Sequence, residues 1–434
     1  MKRLLFWLAI ILFCISVIPI IGTASGETKT IVLWSMVNEP EPFATVQKKW
    51  IEDYKEINPD IDFEVVFAGR EVVTKVMVSR GAGVTIDLIN MEGFVLRGAL
   101  VIEGISSALD NALDKPDYKG EKPWRESFIP GILEQYAADD GTIHLIPFGV
   151  HTSGFFYDKK MWQEHGWKVP KTWDEFLELC ETIKTTTDIA PITHDCGVDF
   201  YNDIWNYQIM ARLKGPGAIM AAVEDKTGES WDDPAFKRAI EMEQELFDKG
   251  YIIEGAKGFT WPAGQGFLAS GEAAMNLNGT WLPNELKHQV DEDFEWGSFP
   301  FPEVVGGVGT FKDMESSWNG WAVFADSEVS DEVVDFLKFV TTVDNQEFMV
   351  ETSWNLSPIL GADMPDWSLG EGLGQALAQA ENLFDRHDGL AGRYPEYYKN
   401  IYLKNHDRAF LGEITPEEYV QIMKEETIKY WEER

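Results

Sequence analysis

The sequence predicts an α/β protein with two or more domains, and three observations lead to that prediction. The chain has 434 residues, which is longer than one ordinary domain. From Thr30 onward β-rich runs alternate with amphipathic helical runs, an order typical of parallel sheets covered by helices on both faces. Hydrophobic residues make up 44% of the chain and charged residues 25%, which indicates a globular protein without a long disordered segment.

The first residues have the order of a secretory signal peptide. Two basic residues precede an apolar stretch from Leu4 to Ile21, and small residues follow it. We therefore predict a signal peptide over residues 1–25, with cleavage near Ala24 or Ser25. An uncleaved membrane anchor is the alternative, because about 18 apolar residues nearly span a bilayer. Either arrangement carries the rest of the protein across the cytoplasmic membrane, to the periplasm or the cell surface.

The charge and the cysteine usage exclude several kinds of partner. Lys and Arg number 37 against 73 Asp and Glu, a net charge of −36. Such an acidic protein is not expected to bind nucleic acid or anionic lipids, and we expect a soluble monomer. After the signal segment only Cys180 and Cys196 remain, and a disulfide and two buried free thiols are both open. No spacing of cysteines or histidines predicts a metal site, and we expect neither metal nor cofactor.

The first half of the chain alternates strand and helix. We predict strands at residues 30–34, 62–68 and 86–90, with a helix at about 71–81 between the second and third. Another helix is indicated by apolar residues at helical spacing, ending before Asn58-Pro59: Phe43, Val46, Trp50, Tyr54 and Ile57. Ligands of such sheets bind beyond the carboxyl ends of the strands. The candidates there are Trp34, Asn38 and Glu39 after the first strand and Asn90 and Glu92 after the third.

The same alternation continues in the second half, with strands predicted at residues 189–194, 273–278 and 317–324. Thr172 and Thr415 are each followed three residues later by glutamate, which predicts capping boxes at two helix starts. Ser330 is predicted to cap a further helix. The chain between residues 145 and 157 is interrupted by Pro147, Gly149 and Gly154, which suits a strand that leaves one lobe and enters another.

Residues 145–176, LIPFGVHTSGFFYDKKMWQEHGWKVPKTWDEF, resemble the crossing segment of the extracellular solute-binding proteins of ABC importers, in the maltose-binding-protein-like group. The matching motifs are Ile146-Pro147, Tyr157-Asp158-Lys159, Gly166 and the run from Pro170 to Phe176. Residues 30–36, 267–281, 325–340 and 411–419 resemble further motifs of the family in the same order. Together they cover essentially the whole mature chain.

The resemblance implies two α/β lobes joined by three crossovers, which close on a ligand in the hinge cleft. Carried onto this chain, it places residues 27–149 and 311–353 in the N-terminal lobe. Residues 150–310 and 354–434 form the C-terminal lobe. The implied function is the substrate-binding component of an ABC transporter, which delivers its ligand to the transmembrane subunits of a permease.

The resemblance also implies site residues. Trp281 matches the binding tryptophan of the family. His151 falls where maltose-type relatives carry a ligand-facing carboxylate, which puts a maltose ligand in doubt, and a satisfied core histidine is the alternative. Further candidates lie in an expected loop after a second-lobe strand and at the other two crossings: Tyr201, Asp203, Trp205, Trp318, Asn319 and Trp354.

The aromatic content favours a carbohydrate ligand, and with several platforms an oligosaccharide. Aromatic rings stack on the apolar faces of sugars, and polar side chains bind the hydroxyl rim. The chain has 17 Trp. A non-sugar solute on the same fold is one alternative, and a secreted glycosidase is another. The sequence contains no Gly-x-Ser-x-Gly or His-Glu-x-x-His motif and no glycine-rich turn after the first strand, so we expect no enzyme.

Overall fold

The computed structural model describes residues 28–434, so the predicted signal peptide lies outside it. The strands of this part, numbered along the chain, are β1 (Lys29–Ser35), β2 (Ile61–Phe67), β3 (Leu88–Glu92), β4 (Leu145–His151), β5 (Ser153–Asp158), β6 (Ala190–Thr193), β7 (Ala273–Gly279), β8 (Trp296–Phe299), β9 (Asp313–Glu315), β10 (Ser317–Val323) and β11 (Asn382–Phe384). They form a sheet of order β2-β1-β3-β10-β4, a second sheet of order β6-β7-β5-β8, and the pair β11-β9.

Both large sheets are mixed, whereas the strand–helix alternation predicted parallel sheets. In the first sheet β1 is parallel to β2 and β3, but β10 runs antiparallel to β3 and β4. In the second sheet β6 is parallel to β7, while β5 is antiparallel to β7 and β8. The antiparallel strands β5 and β10 are those at which the chain enters a sheet from the other one.

Helices cover the sheets on both faces. The principal helices are Pro42–Ile57, Val72–Gly81, Lys159–His165, Trp173–Thr186, Asp199–Lys214, Ala218–Glu224, Pro234–Asp248, Ala263–Ala269, Leu282–Leu286, Ser330–Val340, Val343–Ser353, Leu373–Ala378, Lys404–Phe410 and Pro416–Glu432. The strands and helices predicted in the first half of the chain lie within two residues of the observed bounds.

The predicted helix caps have three different outcomes. At Thr415 the capping box is complete, because its hydroxyl accepts from the Glu418 backbone and the Glu418 carboxylate accepts from the Thr415 backbone. At Thr172 only half of the box forms, since the Glu175 carboxylate instead accepts from the backbone of Lys171 at 2.7 Å. The predicted cap at Ser330 is wrong, because that residue is already inside the helix.

Two hydrophobic cores stabilise the two sheets. The first buries Leu33 and Trp50, and the second buries Phe155 and Met275. Each such side chain contributes roughly 1.5–3 kcal/mol when fully buried. Ile57, predicted on the buried face of its helix, is instead 55% exposed, because it lies at the helix end.

The chain passes between the sheets three times. The first passage is at Thr152, between β4 and β5, and the second is at Ser316, between β9 and β10. The third follows Trp354, where a left-handed backbone with φ of 57° ends the preceding helix. A β-bridge between Val150 and Leu356 joins the first and third passages. The structure is therefore two-lobed with three crossovers, and the residue boundaries of the lobes stay a prediction.

Cys180 and Cys196 are both buried and free. Of the two alternatives, a disulfide and a pair of buried free thiols, the structure therefore shows the free thiols. Burial raises the pKa of the Cys196 thiol to about 12.

Within residues 28–434 no helix is both long and apolar enough to cross a membrane. The same part of the chain has no cluster of three or more His, Cys, Asp or Glu placed to hold a metal ion.

Candidate ligand-binding cleft

Two crossovers meet at a buried histidine between the sheets. His151 ends β4, and its Nε2 accepts from the Nδ2 of Asn319, on β10, at 3.0 Å. With Nε2 as the acceptor, Nδ1 carries the proton and lies 3.5 Å from the Thr280 hydroxyl. The Asn319 Oδ1 is buried and has no partner among the described residues. These three side chains form a polar floor with hydrogen-bonding capacity to spare.

The floor carries no charge at physiological pH. Burial, together with the positive charges of Arg386 and Arg70, lowers the pKa of His151 to about 3. A neutral imidazole that donates from one nitrogen and accepts at the other suits hydroxyl groups, which do the same. The structure therefore gives His151 the hydrogen-bonding capacity predicted for it, and its contact with a ligand stays a prediction.

Aromatic rings form the wall on the second-lobe side. Trp281 follows β7, and its ring centre lies 5.9 Å from that of His151. The ring of Tyr201 is nearly parallel to it, with an interplanar angle of 14° and centroids 6.5 Å apart. Phe200, which is 39% exposed, lies 6.5 Å from the same indole. The structure thus brings Trp281, Tyr201 and His151 together as predicted.

Arg386 lies beside this wall and was not among the predicted residues. Its guanidinium carbon is 5.1 Å from the Trp281 ring centre, and both its Nε and its Nη2 donate to the Ser317 hydroxyl, at 3.0 and 2.8 Å. Glu315 is 3.5 Å from Nε. Burial opposes the charge of Arg386, but Glu315 together with Tyr207, Tyr136 and Glu92 outweighs burial and raises the arginine pKa. This cation holds the indole and the second crossover together.

A cavity of about 500 Å³ extends from Arg386, and Glu92, Phe200 and Asp203 are among its lining residues. Burial raises the pKa of Glu92, although Arg386 and Arg70 oppose that shift. Burial also raises the pKa of Asp203 to about 7. The predicted residues Glu92 and Asp203 are therefore brought to one cavity, from opposite lobes.

Asp203 is only half satisfied by the protein. The Tyr398 hydroxyl donates to its Oδ2 at 3.3 Å, while Oδ1 is buried without a partner among residues 28–434. Its segment was expected to be a loop, but it is the helix Asp199–Lys214. Asp203 lines the cavity nevertheless, because the start of this helix faces it, and its contact with a ligand stays a prediction.

Asn90 lies inside β3 and is fully buried. Its Oδ1 accepts from the backbone of Met36 at 3.0 Å and from the Ser35 hydroxyl at 3.2 Å. The amide therefore shapes the loop that follows β1 and does not reach the cleft. The predicted ligand contact at Asn90 is corrected to a structural role.

The residues predicted around the end of β1 are engaged locally. Asn38 is exposed and bonds to Glu41 through its backbone and side-chain nitrogens, at 2.8 and 2.7 Å. Glu39 is exposed and pairs with Lys48 at 2.8 Å. Trp34 lies within β1, not after it, and packs partly buried against the first core. The structure does not bring these three to the floor.

Two predicted tryptophans belong to the cores. Trp205 is fully buried and packs edge-on against Phe155 and Phe301, because it lies one turn deeper along the helix than Tyr201. Trp318 is also buried, and its Nε1 donates to the carbonyl of Ile132 at 3.2 Å. Both predictions of ligand contact are corrected to packing.

Trp354 lines a different and larger cavity, of about 660 Å³, whose lining residues include Trp296 and Trp367. None of the other predicted site residues lines that cavity. Volume alone would favour it, but the cleft at His151 combines stacked rings with unsatisfied polar atoms from both lobes. We therefore take the cleft at His151 and Trp281 as the candidate site.

These features define a class of protein: a two-lobed α/β protein with three crossovers, at which aromatic rings and a polar floor come together as a candidate ligand site. Residues 37–347 match the model of the bacterial extracellular solute-binding proteins. The chain belongs to that family.

Curated relatives are distant. An uncharacterised ABC transporter extracellular-binding protein of Pyrococcus horikoshii is 25% identical over 63% of this chain, and the chain spans 62% of that relative's length. The lactose-binding protein of Rhizobium radiobacter is 24% identical over 74% of this chain and 71% of its own. Among solved structures, a chitin oligosaccharide binding protein superposes with a TM-score of 0.73 at 22% identity, covering 93% of this chain and 99% of that one.

Proposed function

We propose that the protein binds a sugar, and more specifically an oligosaccharide, in the cleft at His151. The observation that carries the proposal is the pair of parallel rings, Trp281 and Tyr201, beside a neutral hydrogen-bonding floor. Trp281 is partly buried and offers stacking area to the apolar face of a pyranose, while Tyr201, only 4% exposed, supports the indole from behind. The floor and the acids offer partners to the hydroxyls of the sugar. The distant relatives that bind lactose and chitin oligosaccharide support this ligand class.

The charges of the cleft favour a sugar without a carboxylate. Arg386 is already paired with Glu315, so it has little capacity left for an acidic ligand. Glu92 and Asp203 line the same cavity and would repel one. Sugar hydroxyls donate readily to carboxylate oxygens, and such bonds are stronger than those between neutral groups.

The mechanism is binding without chemical conversion. The ligand contacts both lobes, and its affinity for the closed form shifts the population toward closure. The closed form then docks on the transmembrane subunits of an ABC permease outside the cytoplasm. We propose that the protein acts as a monomer with its lobes divided at residues 149/150, 310/311 and 353/354.

The test is a thermal-shift screen against lactose, raffinose, stachyose and N-acetylglucosamine oligomers, with amino acids as controls. A ligand at about 100 times its Kd adds about 2.7 kcal/mol to stability. A saccharide that raises the melting temperature and stays intact overnight supports the proposal. Consumption of the saccharide would revive the glycosidase alternative, and a shift with amino acids alone would contradict a sugar ligand.

Replacing the platform should remove binding and leave the fold. We expect Trp281→Ala to weaken the affinity for the saccharide found in the screen at least ~tenfold, because stacking area is lost. Isothermal titration calorimetry measures the change. Trp354→Ala is the matched control, since it removes a partly buried tryptophan from the other cavity. Equal losses in both variants would exclude Trp281 as the platform.

A further inference from the structure

Trp261 is an exposed tryptophan that neither hydrophobic core explains. It precedes the helix Ala263–Ala269 and is 53% exposed. It belongs to neither of the two core clusters. Its indole is nevertheless held in place, because Nε1 donates to the Glu285 carboxylate Oε2 at 3.2 Å. A large ring that is fixed by a hydrogen bond and left open to solvent is available for stacking.

A chain of hydrogen bonds connects this ring to the wall of the cleft. The Gln265 amide donates to the same Glu285 oxygen at 3.0 Å and also reaches the Tyr201 hydroxyl at 3.4 Å. Glu285 lies on the helix Leu282–Leu286, which begins directly after Trp281. Trp261 and Trp281 therefore flank one carboxylate on the second-lobe side.

Glu285 is partly buried, and burial raises its pKa. Its link to the cleft is geometric, because the Gln265 amide donates both to Glu285 and to the Tyr201 hydroxyl. The Tyr201 ring in turn lies parallel to Trp281. The carboxylate beside Trp261 therefore adjoins the aromatic wall of the same cleft. None of the described residues donates a hydrogen bond to its Oε1.

We propose that Trp261 and Glu285 form an outer subsite that binds a second or later ring of an oligosaccharide whose first ring lies on Trp281. Trp261 stacks on that ring, and the Oε1 of Glu285 accepts from one of its hydroxyls. This inference rests on the proposed function and deepens it, because it makes ligand length a property of the site. Saccharides of two or more rings are the preferred ligands, and single rings bind only at Trp281.

The experiment compares affinities along two series of rising length in the full mature chain. The probes are N-acetylglucosamine oligomers of one to five units and the series sucrose, raffinose and stachyose, measured by titration calorimetry. In Trp261→Ala the Kd of the shortest saccharide that binds should stay within about twofold. The Kd of the longer members should rise roughly tenfold, as one lost stacking contact implies. Trp261→Phe should recover most of that loss.

Two further variants separate a subsite from a merely structural role. Glu285→Gln should weaken long ligands more than short ones, whereas Trp354→Ala should weaken neither. The melting temperature without ligand should be nearly unchanged in Trp261→Ala, since an exposed ring contributes little to the fold.

The remaining outcomes would contradict either the outer subsite alone or the proposed function with it. Equal weakening at every length, no weakening, or a wild-type protein that binds only single rings would overturn the outer subsite while the proposed function stands. If no saccharide binds the wild-type protein, the proposed function itself fails, and the subsite fails with it.

Discussion

At the scale of single residues, burial shifts the pKa of two cleft side chains in opposite directions and disfavours the charged form of each. It lowers the pKa of His151 to about 3 and raises that of Asp203 to about 7, because moving either sign of charge out of water costs free energy. Burial disfavours the charged form of both side chains, so that His151 is neutral at physiological pH and Asp203 is only partly ionised. A chain with a net charge of −36 therefore presents a binding floor that carries none.

Asp203 should make stability depend on pH. Its folded pKa of about 7 lies above the ordinary aspartate pKa of 3.8, so the folded state retains a proton that the unfolded state releases. Stability then falls as pH rises from about 4 to about 7 and is constant above that range as far as this group is concerned. Asp203→Asn should show a smaller fall in melting temperature between pH 4 and pH 8, measured by calorimetry without ligand.

The slope should not vanish in that variant, because burial also raises the pKa of Asp385 to about 7. Asp114→Asn, which changes an exposed carboxylate, serves as the control and should keep the wild-type slope. A slope in Asp203→Asn equal to that of the wild type would contradict the assignment.

Residue-level prediction selected side chains that the structure brings together where chemistry and strand position agree, as at His151 and Trp281, and their ligand contact stays a prediction. Residue-level prediction was wrong where a polar side chain near a strand end is buried and bonded within the protein. Asn90 has a typical ligand-binding side chain near a strand end, but the loop after β1 folds over it and uses its amide. Arg386 was missed because it lies in irregular chain where His387 and Asp388 adopt left-handed backbone with φ of 41° and 56°, and no periodicity marks such a segment.

At the scale of elements, the complete capping box at Thr415 should matter more than the half-formed one at Thr172. We expect Thr415→Ala to cost about 1 kcal/mol, because one backbone donor of the helix Pro416–Glu432 loses its partner. The melting temperature should fall by about 2 °C. Ligand affinity should not change, since the helix packs in the second core through Tyr419 and Met423.

Thr415→Ser keeps the hydroxyl and is the control for that experiment. It should melt close to the wild type. An equal fall for serine and alanine would show that the methyl group, which both variants lack, stabilises this helix start and that the hydroxyl does not.

The strands and most amphipathic helices were predictable from their periods, but the helix Asp199–Lys214 was not. Every residue from Tyr201 to Arg212 in it is buried. A helix that is buried on all sides has no polar face, and therefore no 3.6-residue alternation of apolar and polar side chains. Its tyrosine, asparagine and aspartate residues resemble a loop in composition, which is why a loop was expected.

At the scale of the whole molecule, ligand binding should close the two lobes. Small-angle X-ray scattering of the mature protein should give a smaller radius of gyration when the saccharide from the screen is added. Trp281→Ala at the same saccharide concentration should keep the unliganded value. An unchanged radius in a wild-type sample that calorimetry shows to be saturated would contradict closure.

The topology of the sheets could not be derived from local patterns. Periodicity locates β10, but not its antiparallel direction, which follows from the path of the chain back from the other lobe. The two-lobed arrangement came from the resemblance of ordered motifs, and the fold agrees with it. The assembly of the cleft from three distant segments depends on that path, so only part of the site could be predicted.

The hydrogen bond between His151 and Asn319 joins two of the three hinge segments and also forms the floor of the cleft. The same atoms therefore affect both the selectivity for the ligand and the mobility of the hinge. A substitution that adapts the floor to a new sugar also alters the stiffness of the joint. An engineered biosensor built on this protein would gain new specificity more safely at Trp261, whose indole donates to Glu285 and not to a hinge segment.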